Sequence, residues 1–227
     1  MGMSTSNIAQ IVSSTERANL AESLRSAGPT APTLCTGWNT RDLLAHLMMS
    51  DSRLDGVIAS YIPFTKNYAK SVADNFKSQP YEQLVTDFRS GPSRYSVFAI
   101  PGVDNMFNSI EFLVHNEDVR RSVPEWKPRE LDQTTKDFIW NRLISGLARL
   151  LLNGHRQGVT LHRRDSIDAT EVTPGDAANN TFTVRTGPDP VVLTGDPIEL
   201  LLACYGRRAV VLDIAGTTSG IARWDRR

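Results

Sequence analysis

The chain has 227 residues, of which 25 are basic and 25 acidic, so it carries no formal net charge. Hydrophobic residues make up 40% of it, which is typical of a soluble globular protein whose core is stable without disulfides or structural metals. The balanced charge, with no basic block and no zinc-finger spacing, argues against a nucleic-acid-binding protein.

Compartment and membrane association follow from equally simple features. No apolar stretch approaches the length of a membrane span, and the N-terminus lacks the blocks of a signal peptide. The two cysteines, Cys35 and Cys204, lie far apart and are expected to be reduced thiols. We therefore expect a cytoplasmic protein with no membrane partner and no nucleic-acid partner, present as a monomer or homodimer.

The first two thirds of the chain show helical periodicity. Gly28-Pro29 ends the first helix, Thr40 is the predicted N-cap of the second with Asp42 in its first turn, and Pro63 ends it. Short connections between amphipathic helices predict an up-down bundle. The predicted helices cover about 6–27, 40–62, 80–89, 104–122 and 130–156.

The pattern changes near Gly158, where residues begin to alternate as in strands. Asp196 and Pro197 then predict the N-cap and first turn of a further helix. A run of helices followed by strands and one helix predicts an α+β protein. We expect a helix bundle over 1–157 and a small α+β domain over 158–227, with strands at 159–163, 181–185, 191–193 and 210–214.

A polar set interrupts the apolar face of the fourth predicted helix. Glu111, His115 and Asp118 stand at i, i+4 and i+7, so a helix places them on one face. Burying such groups is costly unless they are paired or bound to a cation. His46, at the edge of the apolar stripe of the second helix, could add a third ligand. The alternatives are a hydrogen-bonded core histidine and an ordinary contact between Glu111 and His115 on the helix surface.

Two imidazoles and one carboxylate favour Zn²⁺, with nickel and iron as alternatives. Three protein ligands would leave positions open for water or substrate, as in catalytic rather than structural zinc sites. Asp118 is the candidate catalytic residue beside them. It either orients a ligand imidazole or forms an ion pair with Arg120 or Arg121. Glu117 lies about 100° around the helix from Asp118 and is expected to face solvent.

These motifs resemble a known family. The run 38–47 (WNTRDLLAHL) is similar to the second-helix motif of DinB-like metal-binding bundles, and 111–121 (EFLVHNEDVRR) resembles the Glu-x-x-x-His motif of the mycothiol-dependent maleylpyruvate isomerase branch. The segment 193–207 (LTGDPIELLLACYGR) resembles the small C-terminal domain of that branch.

The resemblance implies a zinc ion held by His46, Glu111 and His115, and a thiol cofactor such as mycothiol. It also implies that basic side chains of the C-terminal domain help to hold the thiol. Arg207 matches that position, although a surface arginine is the simpler interpretation.

We therefore expect a metal-dependent enzyme that uses a low-molecular-weight thiol to isomerise a small electrophile or to transfer the sulfur to it. One alternative is a hydrolase in which zinc-bound hydroxide attacks and Asp118 acts as general base. The other is a non-catalytic protein that binds a metal or a small ligand.

Overall fold

A computed structural model describes residues 4–52, 66–91, 104–164 and 180–224. The chain divides into two compact units, Met1–Lys127 and Pro128–Arg227. The first unit is helical in the part that the structure describes. Its helices are α1 (Thr5–Ala27), α2 (Thr40–Ser52), α3 (Lys66–Lys77), α4 (Tyr81–Ser90) and α5 (Asp104–Arg120).

Helix α1 packs along α5 and α4, and α2 packs against α3 and α4. Ser4 caps α1 by accepting a hydrogen bond from the backbone N–H of Asn7 at 3.3 Å, and Gly28, with φ of 76°, ends that helix as predicted. The apolar stripes of these helices meet in one core, which includes Leu20, Leu24, Leu43, Leu47, Leu84, Phe88 and Phe112.

The N-cap of α2 is Asn39, so the assignment of this cap to Thr40 was wrong. The backbone N–H of Asp42 donates to Oδ1 of Asn39 at 3.0 Å, and the N–H of Asn39 donates to Oδ2 of Asp42 at 3.1 Å. This reciprocal pair is a capping box. The Thr40 side chain is buried and donates instead to the backbone carbonyl of Gly28.

The described side chains of helix α5 are mostly buried. Between Asn108 and Ser122 every residue is at least partly buried, although this stretch includes several charged side chains. Helix α3 was not predicted, whereas the other helices of this unit lie close to their expected positions. The predicted continuation of α2 beyond residue 52 lies outside the described residues.

The second unit combines short helices with a sheet. Helices α6 (Gln133–Arg142) and α7 (Ala148–Leu151) are joined through Leu143–Leu147, where the chain kinks at Gly146, whose φ of 127° is not helical. The strands are β1 (Val159–Arg163), β2 (Thr181–Arg185), β3 (Val191–Gly195) and β4 (Asp213–Gly216). Helices α8 (Pro197–Cys204) and α9 (Thr218–Trp224) complete it.

The sheet has the strand order β2-β1-β3-β4, with β1 parallel to β3 and the outer strands antiparallel to their neighbours. Asp196 caps α8 and Pro197 opens it, as predicted. The last strand begins at Asp213 rather than at Val210. The reason is that the backbone N–H of Val211 donates at 2.8 Å to the buried carboxylate of Glu199 and not to a strand.

The α+β fold class is confirmed. By its contacts the chain divides between Lys127 and Pro128, because α6 packs against α8, and α7 packs against α8 and β2. The fifth predicted helix thus lies with the sheet rather than with the bundle. The division at 157/158 marks where helices give way to strands, and as a domain boundary it stays a prediction. No helix within the described residues is long and apolar enough to cross a membrane.

Candidate metal centre

Two helices of the first unit bring His46 and Glu111 together. Nε2 of His46, on α2, lies 3.2 Å from Oε1 of Glu111, on α5. Ser50, one turn after His46, donates from Oγ to the other carboxylate oxygen of Glu111 at 3.3 Å. One face of α2 therefore holds both oxygens of a carboxylate supplied by α5.

His115 completes the group from the next turn of α5. Its ring lies edge-on to that of His46, with centroids 5.6 Å apart and planes inclined by 77°. One potential ligand atom from each of His46, Glu111 and His115 lies within 4.8 Å of the other two. The structure thus brings together the three side chains that the sequence singled out.

The spacing of these atoms can be compared with that required by a metal ion. Tetrahedral zinc with Zn–N and Zn–O bonds of about 2.0–2.2 Å places neighbouring ligand atoms about 3.3 Å apart. The observed 3.2 Å between His46 and Glu111 matches this value. The ligand atom of His115 lies within 4.8 Å of the other two, so only a small movement of His115 would bring it to the same spacing. The donor set of two imidazoles and a carboxylate therefore fits a divalent cation such as Zn²⁺.

The electrostatic surroundings keep Glu111 anionic. Burial acts to raise the pKa of Glu111, but the hydrogen bond from His46 and the nearby imidazoles outweigh it, so the pKa lies below its usual value. The side chains of His46, Glu111 and His115 keep 30%, 23% and 13% of their exposure. A ligand set that includes an ionised carboxylate and is still partly accessible would leave room for a further ligand.

Asp118 lies behind His115 and is fully buried. Nδ1 of His115 donates a hydrogen bond to Oδ2 of Asp118 at 2.9 Å. The expected alternative partners of Asp118 contact Glu117: Arg121 at 2.5 Å and Arg120 at 2.9 Å. Of the two predicted roles of Asp118, orientation of an imidazole is the one that this contact supports.

The expectation that Glu117 faces solvent was wrong. Its side chain is fully buried and pairs with the buried Arg121 one turn further along α5, so a position about 100° around the helix from Asp118 does not reach water. The guanidinium of Arg121 stacks on the ring of Trp126 at 4.5 Å from the ring centroid and is buried with Glu117.

Sequence reasoning missed Cys35, which it treated as an ordinary reduced thiol. Sγ of Cys35 lies 3.2 Å from Oδ2 of Asp118 and 3.8 Å from Nδ1 of His115. These three residues form a second group with potential ligand atoms within 4.8 Å of one another. No helical spacing relates a loop residue to positions on α5, so periodicity carried no signal for this contact.

Trp38 lies in the same loop as Cys35, on the other side of the site. Its ring centroid is 5.2 Å from that of His46, with the planes inclined by 52°. The side chain is 38% exposed, so one edge faces solvent beside the candidate metal ligand.

A buried ion pair joins α1 to α2 next to the candidate site. Arg17 on α1 binds Asp51 with both terminal guanidinium nitrogens, Nη2 at 2.8 Å, and lies over the rings of Phe88 and Phe112. Burial raises the pKa of Asp51, Arg17 opposes that rise, and the charge of Glu111 adds to it. This pair, also missed from sequence, fixes the turn of α2 that carries Ser50.

Arg207, the predicted cofactor-binding residue, lies in the second unit. It lines a cavity of about 300 Å³ and donates from Nη1 to the carbonyl of Tyr205 at 3.1 Å. The other lining residues are Gly206, Arg208, Val210, Leu212, Ile214 and Trp224. What this cavity binds stays a prediction.

The fold and the converging ligand atoms define a class: an α+β protein whose helical unit has a candidate centre for a divalent metal. Residues 13–97 match the family model described as the mycothiol maleylpyruvate isomerase N-terminal domain. This match confirms the resemblance to that family over a segment that contains the motif at 38–47, whereas the motifs at 111–121 and 193–207 lie outside it.

Comparison with solved structures supports the same fold. A crystal structure of a histidine-to-alanine mutant of mycothiol-dependent maleylpyruvate isomerase superposes with a TM-score of 0.59, covering 96% of this chain and 94% of that chain. The sequences are 11% identical, so this likeness concerns the fold alone. No curated protein matches the chain significantly in sequence.

Proposed function

We propose that the protein binds a divalent metal ion, with Zn²⁺ the best match, through His46, Glu111 and His115, and uses it to activate a low-molecular-weight thiol. The thiol, mycothiol or a related molecule, would react with a small electrophile by isomerisation or by transfer of sulfur. The support for this proposal comes from the ligand geometry and from the family match over residues 13–97.

The observation that carries the proposal is the convergence of the three ligand atoms within 4.8 Å, with the second nitrogen of one imidazole already engaged. Because Nδ1 of His115 donates to Asp118, its Nε2 is the nitrogen left for a cation. This pattern, in which a carboxylate fixes the tautomer of a ligand histidine, accompanies most histidine-ligated metals.

A bound zinc ion would lower the pKa of a coordinating thiol and so supply a thiolate near neutral pH. The chain's own residues prepare the site for it. Glu111, ionised by its surroundings, supplies the negative charge, and Asp118 holds the imidazole of His115 in one orientation. The indole of Trp38 lies against His46 and forms one wall of the partly exposed side.

Hydrolysis by a metal-bound hydroxide has weaker support. It requires a general base that reaches water or substrate, and Asp118 is the named candidate. That carboxylate is fully buried and its Oδ2 already accepts a hydrogen bond from His115. A role in orienting His115 agrees better with this environment than a role as the base.

Arg207 supplies a second, separate part of the proposal. The cavity that it lines offers guanidinium groups next to apolar walls and the indole of Trp224, which would suit polar groups of a thiol cofactor. Replacement of Arg207 by Ala should then raise the KM for the thiol and leave metal content unchanged. An unchanged KM would show that Arg207 does not bind the thiol.

The test combines metal analysis with thiol-dependent turnover. We expect about one equivalent of metal per chain in the purified protein, abolished by His115→Ala and retained by a control, His162→Ala, from strand β1 of the second unit. A panel of electrophiles should then turn over only when a low-molecular-weight thiol is added. Turnover without thiol would favour the hydrolase, and tight ligand binding without any product would favour the non-catalytic alternative.

A further inference from the structure

The loop before α2 contacts the surroundings of both imidazoles. The backbone N–H of Leu34 donates to the carbonyl of Asp118 at 3.0 Å, so the loop is tied to α5 at the residue that holds His115. The N–H of Trp38 donates to the carbonyl of Cys35 at 3.0 Å, and the Trp38 ring packs on His46. One tight turn therefore places Cys35 behind one imidazole and Trp38 beside the other.

The same carboxylate oxygen of Asp118 receives two donors. Nδ1 of His115 lies 2.9 Å from Oδ2 and Sγ of Cys35 lies 3.2 Å from it. A thiol is a weak donor, and a sulfur–oxygen distance of 3.2 Å is short enough for an S–H···O hydrogen bond. Because Asp118 is fully buried, each hydrogen bond to its carboxylate helps to fix the orientation of that group.

We infer that Cys35 is a positioning residue for the metal centre, acting through Asp118 on His115. The inference rests on the metal site proposed above and adds a residue that no motif assigns to it. The thiol donates to Oδ2 of Asp118, the carboxylate keeps its orientation, and His115 presents Nε2 to the cation in a fixed direction. The chain of contacts runs from the loop to the ligand without Cys35 touching the metal.

Removal of the donor should weaken metal binding while leaving the fold in place. Outer-shell partners of metal ligands typically contribute 10–100-fold to affinity, and Cys35, one hydrogen bond further out, should contribute about tenfold. Cys35→Ala should therefore lower the Zn²⁺ affinity about tenfold in a competition titration at fixed pH. Cys35→Ser, which keeps a hydroxyl donor, should retain most of the wild-type affinity.

Two further measurements separate positioning from other roles. In an Asp118→Ala background, Cys35→Ala should have no additional effect, because the two residues act in series. The visible spectrum of the Co²⁺-loaded protein should change with Cys35→Ala and be restored by Cys35→Ser. Cys204→Ala, in α8 of the second unit, is the matched cysteine control and should leave affinity and spectrum unchanged.

Circular dichroism of the metal-free variants checks that each one folds. If Cys35→Ala does not fold, Cys35→Val replaces it as the apolar variant, since its larger side chain leaves no cavity. Wild-type affinity in the apolar variants, or additive effects with Asp118→Ala, would overturn the inference. A thiolate-to-Co²⁺ charge-transfer band that Cys35→Ser removes would also overturn it, because Cys35 would then be a ligand. A wild-type protein that binds no metal would instead refute the proposed metal site itself.

Discussion

The imidazole of His46 and the carboxylate of Glu111 lie 3.2 Å apart although 65 positions separate the residues along the chain. Helix α2 supplies the first and α5 the second, and Ser50 on α2 holds the remaining carboxylate oxygen. Partial burial of a carboxylate and an imidazole costs free energy unless the two groups are paired with each other or bind a cation. Metal titration of variants of these residues distinguishes a simple His46–Glu111 pair from a metal site.

Glu111→Gln should greatly reduce metal affinity while keeping the size and polarity of the side chain. The variant removes the only anionic group of the three candidate ligands, so the loss should exceed the roughly 100-fold upper range for outer-shell partners. Isothermal titration of the metal-free protein with Zn²⁺ measures it. Glu82→Gln, at an acid that is 69% exposed on α4, is the control. Equal affinity in the Glu111 variant would mean that Glu111 only pairs with His46.

Asp118→Asn should reduce metal affinity by about 10–100-fold, because the amide orients His115 less strongly than the carboxylate does. The same titration gives the result, and the variant keeps the shape of the buried side chain. If turnover fell steeply while metal affinity stayed at its wild-type value, Asp118 would act in the reaction itself, as the hydrolase alternative requires.

Asp42 should make stability depend on pH in the acid range. Burial acts to raise the pKa of Asp42, but Lys77, with Nζ 2.6 Å from Oδ1, and the N–H of Asn39 bring it below the usual value. A depressed folded pKa stabilises the protein above the unfolded pKa of about 3.9, and this contribution is lost as pH falls through the lower folded value.

Asp42→Asn should therefore be less stable than the wild type near neutral pH, by about 0.3–1 kcal/mol as for other negative charges in the first turn of a helix. The difference should shrink below pH of about 4 as the wild-type carboxylate is protonated. Urea unfolding of the wild type and the variant, near neutral pH and below pH of about 4, measures the difference in their free energies of unfolding. A difference that stays constant between them would contradict the assignment of the effect to the charge of Asp42.

The Arg17–Asp51 pair should show strong coupling in stability. Arg17→Met alone leaves a buried carboxylate without its partner and should cost about 3–5 kcal/mol. Arg17→Met combined with Asp51→Leu should be far less destabilising, because both charges are then removed. Denaturant unfolding of the two single variants and the double variant completes the cycle. Additive losses would show that the two residues act independently.

Local patterns were sufficient to predict much of this protein. Spacing along α5 and the apolar stripe of α2 identified His46, Glu111 and His115, because the period of a helix fixes which side chains share a face. The alternating strands and the Asp196-Pro197 helix start were found for the same reason. Each of these features depends only on neighbours a few residues apart.

Features that depend on contacts between distant segments were missed. Nothing near Cys35 in the sequence shows that its thiol reaches Asp118, and nothing near Arg17 shows that it pairs with Asp51. The solvent-facing interpretation of Glu117 failed because periodicity gives an angle around a helix and not what surrounds the helix. Helix α3 was missed because its described apolar side chains, such as Val72 and Phe76, are few among charged and polar ones.

The burial of most described side chains of α5 has a consequence for how such a protein can diversify. A helix with a solvent-facing side tolerates substitutions at every third or fourth position, so a saturation mutagenesis profile along it rises and falls. From Asn108 to Ser122 this variation should be weak, since every position is at least partly buried. Two of the three candidate ligands, Glu111 and His115, therefore share this helix with the packing around them, and new specificities are expected to arise in the loops around the site rather than along α5.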